Sequence, residues 1–345
     1  TWQAYNKWPD EFSLYDSDPP EQPQSSRTWV SFDRPYGKYP QVVDHPLSQG
    51  SGEYLLWEFP LSFWLEKLGY DVTYCSNVDT HVDPEGLSRV KAFISVGHDE
   101  YWTLDMFNNV KNAVNRGLNV AFLSGNSIMW AIALDPSADL NPEIIDPRTG
   151  LTEGGKRIPV KPNSGGNPNR LMHRVGRFGG ITPEEEETGI MGPFEGDFPN
   201  ENTLIGARTV YPFNGSADWI VSKADHWIFE GTAMKDGDAI PGLVGWEFHG
   251  DPAHIPGLEI IAKGIPITGG GKESHYTATV YPGPKGNWVF NASTIFWSIG
   301  LSDPPGLMPP YSHHGRPHGP DERVQKITAN FFQKCGIKPA ADGTT

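Results

Sequence analysis

Cysteine is nearly missing. Only Cys75 and Cys335 occur in 345 residues, too few for a disulfide framework or a thiolate metal site. Long apolar runs are missing too: none approaches ~18 residues, and no charged-then-apolar leader opens the chain, so no membrane span is expected. Positive charge is in deficit, with 27 Lys and Arg against 42 Asp and Glu and a net charge of −15. Such a chain repels phosphate backbones, so nucleic acid is not an expected partner. The compartment stays open, with cytoplasm preferred to secretion. There is no Gly-x-Ser-x-Gly elbow, His-Glu-x-x-His helix, phosphate loop or cysteine nucleophile at a strand-to-helix turn. An N-terminal Thr can act as a nucleophile, but beyond Thr1 nothing supports that architecture. No internal repeat or low-complexity tract is found.

What is present is aromatic surface, with 17 Phe, 12 Tyr and 12 Trp, enough to build a large core. The 39 Gly and 32 Pro imply long ordered loops, where binding and catalytic groups tend to sit. The length fits one enlarged α/β domain over 1–345, carrying a loop-rich insertion or lid over 135–207. The acidic run Glu184 to Glu187 in that insertion reads as a solvated face. The first 50 residues read as irregular loop, punctuated by Asp18-Pro19-Pro20 and Arg34-Pro35-Tyr36-Gly37.

Helical spacing of Leu55, Leu56, Phe59, Phe63, Trp64 and Leu68 predicts a helix from Tyr54 to Leu68, kinked or divided by Pro60 and stopped at Gly69. The run Tyr70 to Cys75 predicts a strand, Val90 to Val96 a second, Trp102 to Arg116 a helix ended by Gly117, and Leu118 to Leu123 a third strand. Strand, helix and strand in that order imply parallel pairing with right-handed crossovers. Later, short antiparallel strands are expected around Leu204, Trp219, Val244, Ile260, Thr277 and Val289, and a closing helix from Val324 to Phe332.

In a parallel sheet, ligands bind beyond the carboxyl ends of the strands. Two segments fall there: Gly97-His98-Asp99-Glu100-Tyr101-Trp102 and Ser124-Gly125-Asn126. A His-Asp-Glu stretch leaving an apolar strand is costly to bury without partners, so His98 and Glu100 are read as functional. Asp99 is read as the N-cap of the helix that follows. Asn126 lies in ordinary Gly-Asn turn chemistry, but beside His98 its amide is a candidate oxyanion donor. Glu247 closes the apolar run Gly242 to Trp246 and stays balanced between an exposed strand-end acid and a functional carboxylate. Tyr5 and Tyr15, from composition alone, are packing residues. His313, His314 and His318 lie among Pro and Gly and read as surface loop, and Cys75 reads as structural. The sequons at Asn214 and Asn291 are read as accidental.

Taken together, Thr1 to Asn6, Ser13-Leu14-Tyr15, Ser31 to Tyr36, Gly97 to Trp102, Phe122 to Asn126, Ala224 to Trp227, Gly242 to Glu247, Val289 to Ala292 and Ile327 to Asn330 resemble, in order, the large subunit of N,N-dimethylformamidase in its catalytic C-terminal region. The resemblance implies a three-layer, mostly parallel sheet similar to class I glutamine amidotransferases and flavodoxin-like folds. It implies a mononuclear ferric centre, Fe(III), held by Tyr5, Tyr15 and Glu100. His98 and Asn126 carry over as a neighbouring catalytic or substrate-binding pair, and Glu247 as the acid/base. The expected reaction is hydrolysis of a small amide such as N,N-dimethylformamide, with Trp8, Trp102 and Trp130 as candidates for an apolar wall. The expected partners are a small amide substrate and either a small subunit or further copies of the chain. Two alternatives remain: hydrolysis of a different amide or ester at the same site, and a non-catalytic binding or assembly module that keeps the fold.

Overall fold

The structure is a computed structural model that describes residues 2–6, 13–15, 29–32, 45–48, 52–135, 171–187, 196–309 and 319–340. Trp8, the Arg34-Pro35-Tyr36-Gly37 turn, His313, His314, His318 and much of the 135–207 segment lie outside the described residues. The chain forms two compact units, one of Thr1–Glu53, Glu100–Leu104 and Ile128–Asn200, the other of Tyr54–Asp99, Asp105–Ser127 and Glu201–Thr345. Among the described residues no helix is long and apolar enough to cross a membrane.

The first unit is organised by a four-stranded sheet in the order Trp29–Ser31, Leu171–Arg177, Trp130–Asp135, Tyr101–Trp102. The first three strands pair antiparallel and the last pair is parallel. Ala4, Leu14, Val30, Tyr101, Trp102, Trp130, Met172 and Phe178 fill its interior. Two arginines of one strand are buried. Arg174 and Arg177 are fully buried, which a period-two strand allows only when the charges are satisfied. Arg177 meets Glu185 at 3.2 Å, both side chains being 0% exposed, and donates to the Phe178 carbonyl at 2.6 Å. Glu185 in turn accepts from the Thr182 N–H at 3.0 Å while its own N–H donates to the Thr182 hydroxyl at 3.2 Å. That reciprocal cap starts the short helix Pro183–Glu187. The acidic run is therefore not wholly a solvated face: Glu185 is drawn inside by Arg177.

The second unit contains a five-stranded sheet in the order Glu259–Gly264, Tyr276–Pro282, Trp288–Asn291, Asn119–Ser124, Ala92–Gly97. Its last three strands are parallel and the others antiparallel. The molecule is thus mixed α/β, with parallel pairing concentrated where helix Leu104–Arg116 supplies a crossover. The Tyr276–Pro282 and Trp288–Asn291 strands are joined by a tight hairpin, closed by the Gly283 N–H on the Asn287 carbonyl at 2.7 Å, and so must run antiparallel. The crossover helix buries Met106, Phe107, Val110, Ala113 and Val114, the one-sided spacing of an amphipathic helix. Asn287 braces its end by donating to the Val114 and Leu118 carbonyls at 2.9 and 2.6 Å, the first of which also accepts from the Gly117 N–H at 3.0 Å. A three-stranded sheet of Ile267–Thr268, Gly215–Ile220 and Ala239–Trp246, and a pair of His249–Pro252 with Ala207–Thr209, complete the strands. Helix Glu322–Lys334, capped by Asp321, packs Val324, Ile327, Phe331 and Phe332 into the same core as Trp219, Phe290 and Trp297.

Several expectations hold and several need correction. The Tyr54–Leu68 helix is divided, a π-helical turn over Tyr54–Glu58 preceding α-helix Phe59–Lys67 with Pro60 in its first turn. Proline lacks the N–H an interior turn would need, so it opens the second segment. Tyr70 to Cys75 forms no strand: Tyr70 and Val72 pack on the core, but the run joins no ladder. Leu204 sits in helix Asn202–Ile205 rather than a strand, ended by Gly206 at φ +97°. The crossover helix begins at Leu104, and Tyr101–Trp102 is a short strand of the other unit.

Candidate functional site

The candidate residues gather in two clusters, one in each compact unit. In the first unit, helix Trp2–Tyr5 and the turn at Ser13–Tyr15 present two phenols, with the Leu14 N–H donating to the Ala4 carbonyl at 2.8 Å to tie the two segments together. Glu100 is held where its strand begins, its carbonyl accepting from the Trp130 N–H at 3.0 Å. The Tyr5 hydroxyl donates to Glu100 Oε2 at 2.6 Å, Tyr15 to Oε1 at 3.2 Å, and the two hydroxyls lie 3.0 Å apart. The Tyr5 and Tyr15 rings stack at 4.8 Å between centroids. A third phenol, Tyr101, brings its hydroxyl onto that of Tyr15, its ring edge-on to both others. Beneath them the Arg174 guanidinium lies 4.9 Å from the Tyr15 ring centre and 4.9 Å from that of Trp130. It donates to the Leu14 carbonyl at 3.0 Å. Burial pushes the guanidinium below its ordinary value, opposed by the charges of Tyr101, Glu100 and Tyr5.

The donor set is chemically selective. Among the described residues no group of three His, Cys, Asp or Glu could hold a metal ion, whereas phenol oxygens and a single carboxylate converge here. Hard oxygen donors of that kind suit a hard, highly charged cation. Tyr5, Tyr15 and Glu100 therefore fit a trivalent iron by donor chemistry.

In the second unit, the paired strand ends Gly97 and Ser124 sit in register, so His98 and the turn 125–127 leave the sheet at the same level. His98 Nε2 lies 2.9 Å from Glu247 Oε2, with both side chains almost wholly buried. A buried imidazole–carboxylate pair is costly to break by removing one member, and it is suited to holding or passing a proton. Gly125 is required by close approach: a Cβ there would lie 2.0 Å from the Glu247 carbonyl oxygen. Gly97, at φ +73°, is pressed against Trp57, which meets Trp246 edge-on at 6.0 Å. Asn126 adopts φ 52°, a left-handed conformation Asn tolerates better than most residues. It is fully buried, and neither its amide nitrogen nor its oxygen has a hydrogen-bond partner among the described residues. Such a group costs about 1–3 kcal/mol unless something pairs with it.

The chain matches, over residues 1–313, the family described as N,N-dimethylformamidase beta subunit-like, C-terminal. It belongs to that family. No curated protein matches the sequence. Within the dimethylformamidase-like frame, Tyr5, Tyr15 and Glu100 come together, and so do His98 and Glu247, with Asn126 following the strand beside His98. Asp99 does not cap a helix: it accepts from Asn77 Nδ2 and Ser95 Oγ, each at 2.9 Å. Trp102 and Trp130 are buried in the first unit, Trp130 against Arg174, while in the second unit Trp57 packs against Gly97 and meets Trp246. Sequence reasoning missed Tyr101, Arg174 and Trp57. Tyr101 adjoins Glu100 in the same motif and was within reach; Arg174 announces itself only as a charge in mid-strand.

Proposed function

We propose that the chain is a dimethylformamidase-like hydrolase that cleaves the C–N bond of a small amide, with Tyr5, Tyr15 and Glu100 as the ligands of a mononuclear ferric ion. The observation that carries the reading is the convergence of two phenol hydroxyls on the two oxygens of one carboxylate, at 2.6 and 3.2 Å. When bound, the ion would supply Lewis acidity toward the substrate carbonyl without changing oxidation state. The proton chemistry falls to the protein. Glu247 takes a proton from the attacking water as the new C–O bond forms, then returns it to the amide nitrogen as the C–N bond breaks, so that acid and amine leave in balance. His98, 2.9 Å from that carboxylate, orients it and shares its charge. The Asn126 amide, buried and unpartnered, donates to the carbonyl oxygen as negative charge develops there. Trp57 and Trp246 exclude water and favour a compact, apolar N-substituent. The expected sheet type, similar to that of class I glutamine amidotransferases, belongs to this reading, as does association with a small subunit, in keeping with the family's description as a beta subunit.

The test joins elemental analysis and the visible spectrum of the purified chain with amine release from N,N-dimethylformamide, formamide, acetamide and simple esters. One iron per chain, a tyrosinate charge-transfer band and amide turnover are expected. Glu100→Ala should lose iron and turnover together, whereas Glu247→Gln should keep iron and lose about 10²–10⁴ in kcat. Iron retained by Glu100→Ala removes that residue from the ligand set, and turnover of esters alone changes the substrate class.

A further inference from the structure

Asn126 is fully buried with both polar atoms of its amide left over, while the turn that carries it is pinned from every side. The Gly125 N–H donates to the Gly97 carbonyl at 3.3 Å, and Ser127 Oγ meets Ser124 Oγ at 2.6 Å. The third tie is an imidazole. The Ser127 backbone N–H donates to His249 Nε2 at 2.9 Å, so that nitrogen carries no proton. The ring proton is therefore on Nδ1, which donates to Asn291 Oδ1 at 2.8 Å. The orientation of the Asn291 amide is fixed in turn, because its Nδ2 donates to the Thr277 carbonyl at 3.1 Å and its Oδ1 accepts from the Ser293 N–H at 2.9 Å. Ser293 then grips the His249 backbone on both sides, its hydroxyl accepting from the N–H at 3.0 Å and donating to the carbonyl at 2.6 Å. His249, Asn291, Ser293 and Ser127 are all 0% exposed.

We infer that His249 is a positioning residue whose neutral imidazole, with its tautomer set by Asn291, holds the 125–127 turn so that Asn126 keeps a left-handed backbone and an unpaired amide for the substrate. The inference rests on the reading of Asn126 as a substrate-binding group. A backbone N–H anchored by a side-chain acceptor, instead of by a strand partner, leaves the turn free of the ladder and yet rigid. Rigidity matters because a misplacement of about 1 Å in a group facing the reacting atoms can cost about a hundredfold in rate.

The experiment compares His249→Gln, whose side-chain oxygen can still accept from Ser127, with His249→Phe, which offers no acceptor, each alone and combined with Asn126→Ala. Crystal structures give the first readout. Asn126 should keep its left-handed conformation in His249→Gln and leave it in His249→Phe, whether or not any amide is turned over. Kinetics on N,N-dimethylformamide give the second. His249→Phe should lose about tenfold to a hundredfold in kcat/KM, His249→Gln should recover most of that loss, and His249→Phe should add nothing once Asn126 is Ala. An unchanged Asn126 turn in His249→Phe, or losses that multiply in the double variant, overturns the inference. If His249→Phe does not fold, the recovery in His249→Gln is replaced by Asn291→Leu, which removes the acceptor for Nδ1 and should disturb the same turn. Wild-type protein that turns over no amide refutes the proposed function alone, since the crystallographic readout still decides the role of His249.

Discussion

Gly125→Ala is the most exacting perturbation this structure offers, because the obstacle is backbone and cannot rotate away. The added methyl would lie 2.0 Å from the Glu247 carbonyl oxygen, 2.6 Å from its carbon and 3.0 Å from the Ile295 nitrogen. Ordinary contact begins at 3.4 Å, so the two segments must part by about 1.4 Å in an interior that has no slack to absorb it. The Ile295 N–H that holds the same carbonyl at 3.3 Å is displaced with it. Overpacking of this kind costs about 1–3 kcal/mol, a fall in Tm of about 2–12 °C for a unit of this size. The catalytic loss is larger, because the carboxylate paired to His98 moves by more than the tolerance of a reacting group, and about a hundredfold in kcat is expected. Thermal unfolding, amide turnover and iron content are measured on one preparation. Iron should be unchanged, since Tyr5, Tyr15 and Glu100 belong to the other compact unit. A variant with wild-type Tm and kcat refutes the claim that this glycine exists for close approach.

Three further outcomes follow from the same geometry. Arg174→Met removes a charge-assisted hydrogen bond to Leu14 and two ring contacts and leaves buried Glu100 without the cation that faces it, so Tm should fall; the tyrosinate band should move to longer wavelength, and an unchanged band would show that Arg174 does not influence Tyr15. His226 is held below its ordinary value near 6.5, chiefly by burial and against the pull of Glu259. The unfolded chain therefore binds the proton more readily, so this contribution to stability is intact above about pH 6.5 and is lost as pH falls toward the folded value. The urea midpoint should drop on acidification, and less in His226→Asn, which can still accept from the Ile228 N–H; identical slopes would discount the residue. The Cys335 thiol is pushed up to about 12 by burial, and only a thiolate alkylates readily, so native protein near neutral pH should resist iodoacetamide at Cys335 by mass spectrometry and accept it after denaturation.

The parts legible in the sequence were those with a local cause. Apolar runs before Gly97 and Ser124 gave the parallel pair, helix Leu104–Arg116 followed from its one-sided spacing, and polar residues directly after strand ends made His98, Glu100 and Asn126 candidates. Tyr70 to Cys75 misled because alternation records only that Tyr70 and Val72 touch the core, whereas a strand also needs a neighbour with free hydrogen-bonding groups. Asp99 misled for a related reason: its acceptors are claimed by Asn77 and Ser95, a tertiary choice invisible in the motif. Tyr5 and Tyr15 read as packing residues until the resemblance drew them toward Glu100, since nothing in the spacing of 5, 15 and 100 says that these side chains meet. His249 was silent because it works through the Ser127 backbone N–H, which carries no residue-specific signal, and Arg174 showed only as a charge in mid-strand, its partners Leu14, Tyr15 and Trp130 lying far off in sequence.

The Arg177–Glu185 contact has a consequence for how this family can drift. With both side chains sealed from water, either single replacement strands a charge and is heavily penalised, while joint conversion to apolar residues of similar volume costs less, chiefly the backbone partners at Thr182 and Phe178. A substitution scan taken one position at a time would score both residues as indispensable. A library varying the two sites together would recover apolar pairs, and natural relatives should therefore show either both charges or neither.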